Sequence, residues 1–151
     1  MSADTVVVFT DGACRGNPGP AGSGAVVLLP GRPRAEGCRS LGRATNNVAE
    51  LTAVGLALDI LDQAGVEADA RVAILTDSDY TNGVLCRGWK AKANTLLIRG
   101  LRERLASRPG TVLHWVAGHV GIEGNERADA LAGLGVDGQS WIRGLEPSTE
   151  G

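Results

Sequence analysis

Cysteine is scarce in this chain of 151 residues. Cys14, Cys38 and Cys86 are odd in number and form no Cys-x-x-Cys pair, which argues against a disulfide framework and against a zinc site. This usage is typical of a reducing compartment, so we expect a cytoplasmic protein.

Long apolar runs are absent as well. No stretch approaches the roughly 18 apolar residues that a membrane-spanning helix requires. The N-terminal segment MSADTVVVF also lacks the charged head and the long apolar stretch of a secretory signal. We therefore expect no interaction with a membrane.

The chain also lacks a large net charge: the value is −2, which taken alone disfavours a general nucleic-acid binder. The charge is nevertheless unevenly distributed. Residues 87–104 carry six basic side chains and one acidic side chain, whereas residues 59–69 carry four acidic side chains and no basic one. This asymmetry fits either one cationic binding face or ordinary solvated helix surfaces.

Hydrophobic residues make up 43% of the chain, which is enough for the core of one domain. Runs of β-branched residues predict strands, and leucines at helical spacing predict helices. Strands are predicted over residues 5–10, 24–29, 36–43, 71–76 and 111–116, and helices over residues 47–63, 79–86, 94–107 and 123–134.

The connections between these elements predict the topology. Short turns predict antiparallel pairing of the first three strands, and helical crossovers predict parallel pairing among the first, fourth and fifth strands. The expected fold is α/β, with a mixed five-stranded sheet flanked by helices. We expect a catalytic domain over residues 1–136 and a flexible tail over residues 137–151, which are polar and rich in glycine.

Two predicted strands end in the same pattern, VFTDG at residues 8–12 and ILTDS at residues 74–78. If these strands are parallel neighbours, Asp11 and Asp77 meet at one edge of the sheet, where ligands of α/β sheets bind. Two adjacent carboxylates repel each other, and a hard cation such as Mg²⁺ or Mn²⁺ would neutralise them. The alternatives are an Asp-Gly turn for Asp11 and a helix cap for Asp77.

Two further acids lie near the starts of predicted helices. Asn47 and Glu50 have capping-box spacing, and Asp129 in NERADALA suits the positive end of a helix dipole. Each acid alone is explained by such a structural role. Together with Asp11 and Asp77, however, they are four acids at the ends of elements that can converge on one site.

Five segments of the chain resemble a known family, in the family's order and over nearly everything from residue 5 to residue 134. They are TDGACRGNPGPAGSGAV (10–26), TNNVAEL (45–51), TDSDY (76–80), GWKAKAN (88–94) and GHVGIEGNERADALA (118–132). The family is the type 1 ribonucleases H, in their bacterial form. The resemblance implies a ribonuclease H-like fold and an endonuclease that cuts the RNA strand of RNA–DNA hybrids, leaving 5′-phosphate and 3′-hydroxyl ends.

The resemblance also implies the catalytic residues and the cofactor. By resemblance, two Mg²⁺ ions, for which Mn²⁺ is a possible substitute, are bound by Asp11, Glu50, Asp77 and Asp129. His119, in a glycine-flanked segment, would assist proton transfer or the release of product and metal. The alternative for His119 is an exposed loop histidine without a catalytic role.

The resemblance further implies two sets of substrate contacts. Around the RNA strand, the minor groove would be lined by the backbone at Gly12 and by Asn17, Asn46 and Asn47. On the DNA strand, a phosphate would be bound by Arg43, Thr45 and Asn94, and a sugar would lie against Trp89. The alternatives are structural, because asparagines serve turns and helix caps and Trp89 can anchor its own loop.

The chain departs from the family pattern in two places. Many bacterial members carry a longer basic insertion, the basic handle, before the helix that starts near residue 94, and here CRGWKAKAN leaves it reduced or absent. In addition, Asp79 stands where glutamine or a basic residue is common. The reduced handle predicts weaker binding to the hybrid, and the carboxylate of Asp79 predicts either weaker binding or an altered metal demand. We expect a monomer with no obligate protein partner.

Three other functions compete with hybrid cleavage. A metal-dependent DNA nuclease or strand-transfer enzyme would leave TNNVAEL and GHVGIEGNERAD unexplained. A hybrid-binding module without catalysis has no reason to keep all four acids. A generic α/β binding domain predicts no metal-dependent activity.

Overall fold

The structure is a computed structural model that describes residues 4–117 and 122–145. Within these residues the chain forms six strands and four helices. The strands are β1 (Val6–Cys14), β2 (Gly19–Leu28), β3 (Ala35–Ala44), β4 (Val72–Thr76), β5 (Thr111–Trp115) and β6 (Trp141–Arg143). The helices are α1 (Asn46–Gln63), α2 (Asp79–Cys86), α3 (Thr95–Ala106) and α4 (Glu123–Val136).

All six strands belong to one mixed sheet, in the order β5-β4-β1-β2-β3-β6. Strands β1, β2 and β3 pair antiparallel, and β4 pairs in parallel with both β1 and β5. The predicted α/β class and the predicted pairing of the first five strands are therefore confirmed. No helix among the described residues is long and apolar enough to cross a bilayer.

Helices cover both faces of the sheet. Val8 and Val27 pack in one buried cluster with seven residues of α1, whereas Phe9 and Val26 pack in a second cluster with Ala128 and Leu131 of α4. Because successive side chains of a strand point to opposite faces, α1 and α4 lie on opposite sides of the sheet. These two helices carry Glu50 and Asp129, so the core fixes both acids against β1.

The first hairpin is longer than predicted. The strand pattern predicts that β1 stops before Asp11, but the ladder continues, with Asp11 paired to Gly24 and Cys14 paired to Ala21. A Cβ atom on Gly22 or Gly24 would collide with the backbone of α4. The glycines that suggest a loop are therefore strand residues that let α4 approach the sheet, and Asp11 lies within β1 rather than after it.

The sixth strand corrects the prediction of a five-stranded sheet. Trp141–Arg143 pairs antiparallel with Glu36–Cys38 of β3. The pairing is stabilised by Glu36, which is buried and accepts hydrogen bonds from Arg127 (2.7 and 2.8 Å) and Arg143 (2.9 and 3.2 Å). These long-range contacts leave no periodic signal in a strand of three residues.

The Glu36 cluster predicts a stability that depends on pH. The hydrogen bonds from Arg127 and Arg143 lower the pKa of Glu36 from 4.5 to about 2. A lowered carboxyl pKa stabilises the fold above the unfolded value near 4.5, and this stabilisation is lost as the pH falls through 2. The shift corresponds to on the order of 3 kcal/mol.

We therefore expect Glu36→Gln to lower the free energy of unfolding by on the order of 3 kcal/mol at pH 7, measured by urea denaturation. The difference from the wild type should shrink as the pH falls below 4.5. Glu123→Gln is the matched control, because Glu123 forms an exposed ion pair with Arg34 worth less than about 1 kcal/mol. A loss that stays constant with pH would contradict the account.

Candidate active site

Three carboxylates converge at one edge of the sheet. In the parallel pairing of β1 with β4, Val6 lies opposite Val72 and Phe9 lies opposite Leu75, and two further residues along this register bring Asp11 opposite Asp77. Glu50 comes from the second turn of α1. One carboxylate oxygen of each acid lies within 4.8 Å of the other two. The predicted meeting of Asp11 and Asp77 is therefore present in the structure.

The amide of Gly12 joins two of these acids. It donates hydrogen bonds to Oδ1 of Asp11 and to Oε1 of Glu50, both at 2.9 Å. Thr45 caps α1 by accepting a hydrogen bond from the amide of Val48 at 3.2 Å. The alternative in which Asn47 and Glu50 form a capping box is therefore wrong. The Glu50 carboxylate accepts a hydrogen bond from β1 instead.

Ser23 is a positioning residue that the sequence did not reveal. Its buried hydroxyl donates a hydrogen bond of 2.6 Å to the carbonyl oxygen of Ala49. This bond attaches the start of α1 to β2, one residue before Glu50. A serine inside a glycine-rich strand gives no sequence signal for such a role, because its partner is 26 residues away.

The electrostatics of the site favour a bound cation. Burial raises the pKa of Asp11, and the charge of Asp77 adds to the rise. Burial also raises the pKa of Glu50, with a further contribution from the charge of Asp11. Oε2 of Glu50 is buried and has no hydrogen-bond partner among the described residues. A divalent cation would favour the charged form of each carboxyl and supply that missing partner.

Asp129 lies beside this trio. Its side chain is exposed on α4, and both a hydrogen bond and its charge contribute to the raised pKa of Asp11. Asp11 and Asp77 lie at the sheet edge, and Glu50 comes from α1. Asp129 comes from α4, which packs on the other face of the sheet, so it approaches Asp11 from the side opposite to Glu50. An all-oxygen set of this kind suits Mg²⁺ or Mn²⁺.

The residues predicted to contact the RNA strand are partly clustered. Oδ1 of Asn17 accepts a hydrogen bond of 3.0 Å from the amide of Asn46, which connects the first hairpin loop to the start of α1. The side chains of Asn46 and Asn47 are exposed there. Gly12 belongs to the same region through its bond to Glu50.

The residues predicted to contact the DNA strand lie on two segments. Arg43 is exposed near the end of β3, two residues before the cap residue Thr45. Asn94 precedes α3 with a φ of 60°, and its Nδ2 donates to the hydroxyl of Tyr80 at 3.4 Å. Trp89 is 41% exposed. Its indole ring is in contact with the guanidinium of Arg87.

Asp79 has a partner that the sequence did not identify. Its carboxylate forms an ion pair of 2.6 Å with Arg87, which follows α2. The two residues are eight positions apart, at the two ends of α2. Side-chain pairs on a helix are expected three or four positions apart, so helical spacing does not predict this pair. His119 lies outside the described residues.

Comparison with known proteins agrees with this geometry. The family model for RNase H matches residues 3–137. Ribonuclease H of Halorhodospira halophila is 43% identical over 144 residues, covering 87% of this chain and 93% of that protein. Ribonuclease H of Pseudomonas savastanoi pv. phaseolicola is 38% identical and covers 95% of this chain and 99% of its own.

Solved structures give the same result. LC11-RNase H1 in complex with an RNA/DNA hybrid has a TM-score of 0.75 and 31% identity, covering 87% of this chain and 96% of that one. The N-terminal RNase H domain from Mycobacterium tuberculosis has a TM-score of 0.72 and 36% identity, covering 88% and 94%. The fold and the carboxylate site thus define a metal-dependent nuclease of the ribonuclease H type. The chain belongs to the ribonuclease H family.

The clustered carboxylates predict a destabilised metal-free protein. A carboxyl whose folded pKa is raised contributes stability below its unfolded value near 4, and this contribution is lost as the pH rises. We expect Asp11→Asn to raise the free energy of unfolding of the metal-free protein at pH 8 by at least about 1 kcal/mol, because it removes one of the repelling charges.

Urea denaturation in EDTA at pH 5 and pH 8 measures this effect. The gain should be larger at pH 8, and added Mg²⁺ should stabilise the wild type more than the variant. Asp137→Asn is the control, because Asp137 is an exposed carboxylate paired with Arg15. An Asp11→Asn variant that is less stable than the wild type at pH 8 would contradict the proposed repulsion.

Proposed function

We propose that this ribonuclease H hydrolyses the RNA strand of RNA–DNA hybrids as an endonuclease, leaving 5′-phosphate and 3′-hydroxyl ends. The observation that carries the proposal is the convergence of Asp11, Glu50 and Asp77 within 4.8 Å, in a chain of this family. The relative LC11-RNase H1, whose structure contains an RNA/DNA hybrid, supports the choice of substrate.

We infer that the cofactor is Mg²⁺, with Mn²⁺ as a substitute, and that two ions are held by Asp11, Glu50, Asp77 and Asp129. The unpartnered Oε2 of Glu50 and the raised pKa values of Asp11 and Glu50 support this donor set. Held there, two such ions would supply Lewis-acid chemistry, namely activation of a water and stabilisation of the leaving oxygen. Asp11, which lies within 4.8 Å of Glu50 and Asp77 and interacts with Asp129, would be the acid best placed to hold both ions.

The protein's own groups orient this carboxylate set. The amide of Gly12 holds one oxygen each of Asp11 and Glu50, and Ser23 fixes the turn that precedes Glu50. Because the acids come from the sheet and from two helices packed on opposite faces, their spacing is fixed by the core. Such preorganisation lets the site meet the developing charge without rearrangement.

Recognition of the RNA strand is assigned to Gly12, Asn17, Asn46 and Asn47. A 2′-hydroxyl both donates and accepts hydrogen bonds, and an asparagine amide matches it with both kinds of group. The contact between Asn17 and Asn46 supports a common surface for these residues beside Glu50. This surface would distinguish the RNA strand from DNA.

Recognition of the DNA strand is assigned to Arg43, Thr45, Asn94 and Trp89. An arginine with short polar donors forms a phosphate site, and an exposed indole offers a flat surface to a sugar. We further propose that the protein is a cytoplasmic monomer without an obligate protein partner. Free Cys14, Cys38 and Cys86 support a reducing compartment.

Cleavage of labelled substrates tests the function directly. We expect the RNA strand of a hybrid to be cut in Mg²⁺, no cutting in EDTA, and products whose 3′ ends a polymerase can extend. All-DNA and all-RNA duplexes should remain intact. Asp11→Asn should abolish cleavage while the protein stays folded.

The same assay separates the rival functions. Cleavage of the all-DNA duplex would indicate a DNA nuclease instead. Binding of the hybrid without cleavage in either Mg²⁺ or Mn²⁺ would indicate a binding module.

His119 provides a second test. We propose that His119 assists proton transfer or product release. His119→Ala should therefore slow turnover by on the order of 100-fold, and the remaining activity should stay metal-dependent. His114→Ala is the matched control, since His114 is an exposed histidine on β5 and should leave turnover unchanged. Unchanged turnover of His119→Ala, or its complete inactivity, would contradict the assigned role.

A further inference from the structure

Arg87 connects an acidic and an aromatic residue at the surface. One of its terminal nitrogens lies 2.6 Å from Oδ1 of Asp79, and its guanidinium lies over the Trp89 ring, 4.4 Å from the centroid. A guanidinium over an indole face is attracted by the negative charge of the π cloud. The ion pair and the ring contact thus share one guanidinium.

Other contacts hold the Trp89 indole in place. The ring lies against Gly83 so closely that a Cβ atom there would overlap it. The Trp89 amide donates to the carbonyl oxygen of Gly83 at 3.1 Å, and its own carbonyl oxygen accepts from Arg102 at 3.2 Å. Trp89 nevertheless remains 41% exposed, so the part of the indole that neither Gly83 nor Arg87 covers faces solvent.

The position of this surface relates it to the carboxylate site. Asp79 lies in the first turn of α2, two residues after Asp77, and Arg87 directly follows the helix. The ion pair thus reaches back along α2 towards Asp77. Gly83, which supports the indole, is only about 6 Å along the helix axis from Asp79.

We propose that Asp79 and Arg87 are positioning residues that hold the Trp89 indole as a fixed platform for the sugar-phosphate backbone of the DNA strand. The proposal rests on the hybrid as substrate. Arg87 covers one face of the indole and prevents its rotation, and Asp79 keeps Arg87 there. Because the pair is neutral, Asp79 adds no unpaired negative charge near the phosphates.

This proposal and the sequence-based expectation predict opposite effects of one substitution. If Asp79 only repels phosphate, Asp79→Asn should lower KM for the hybrid. If Asp79 acts through Arg87, Asp79→Asn should raise KM, by about 3- to 10-fold, with kcat unchanged. Arg87→Gln should raise KM at least as much, and the double variant should match Arg87→Gln alone.

The chain offers a matched control. Arg143 lies over the Trp141 ring at 4.3 Å and pairs with Glu36, so it repeats the arrangement of Arg87 at β6. Arg143→Gln should leave KM unchanged. With 5-fluorotryptophan, Asp79→Asn and Arg87→Gln should alter the ¹⁹F resonance of Trp89 and not that of Trp141, whereas Arg143→Gln should do the reverse.

The readouts distinguish failure of the proposal from failure of the function. Hybrid cleavage by the wild type with an unchanged or lowered KM in Asp79→Asn would overturn the positioning role alone. An unchanged Trp89 resonance in Arg87→Gln would also overturn it. Absence of hybrid cleavage and binding by the wild type would overturn the proposed function, and the platform role with it.

Discussion

Close burial of like charges is the constraint on which this structure depends. Asp11 and Glu50 are 5% and 6% exposed, and Asp77 joins them within 4.8 Å. Such an arrangement costs stability unless a cation or protons neutralise it. Much of the surrounding fold brings the acids together: the parallel register of β1 and β4, the bond from Ser23 to α1, and the glycines that admit α4.

Glu36 shows the opposite environment for the same functional group. It is as buried as Glu50, but Arg127 and Arg143 surround it and lower its pKa to about 2. Burial without these partners raises the pKa of Glu50. A carboxylate with built-in arginine partners stabilises the fold, whereas one without a partner for Oε2 is suited to an external cation. The contrast separates structural acids from candidate metal ligands without any reference to relatives.

The sequence predicted those features that depend on local pattern. The repeated Thr-Asp ends of two apolar strands identified Asp11 and Asp77 as neighbours, because parallel strands place equivalent residues at one edge. The predicted extent of β1 and β2 is wrong. Gly22 and Gly24 are strand residues that leave room for the backbone of α4, and they do not form a turn. Strand β6 and the pairing of Asp79 with Arg87 depend on long-range or helix-spanning contacts, which periodicity does not encode.

The central claim is that Asp11, Glu50, Asp77 and Asp129 form a site for divalent ions. A crystal grown with Mn²⁺ and measured at the manganese absorption edge tests it most directly. The account predicts anomalous peaks among these four carboxylates, with Asp11 in contact with both ions. Well-ordered side chains that point apart, with no anomalous density between them, would contradict it.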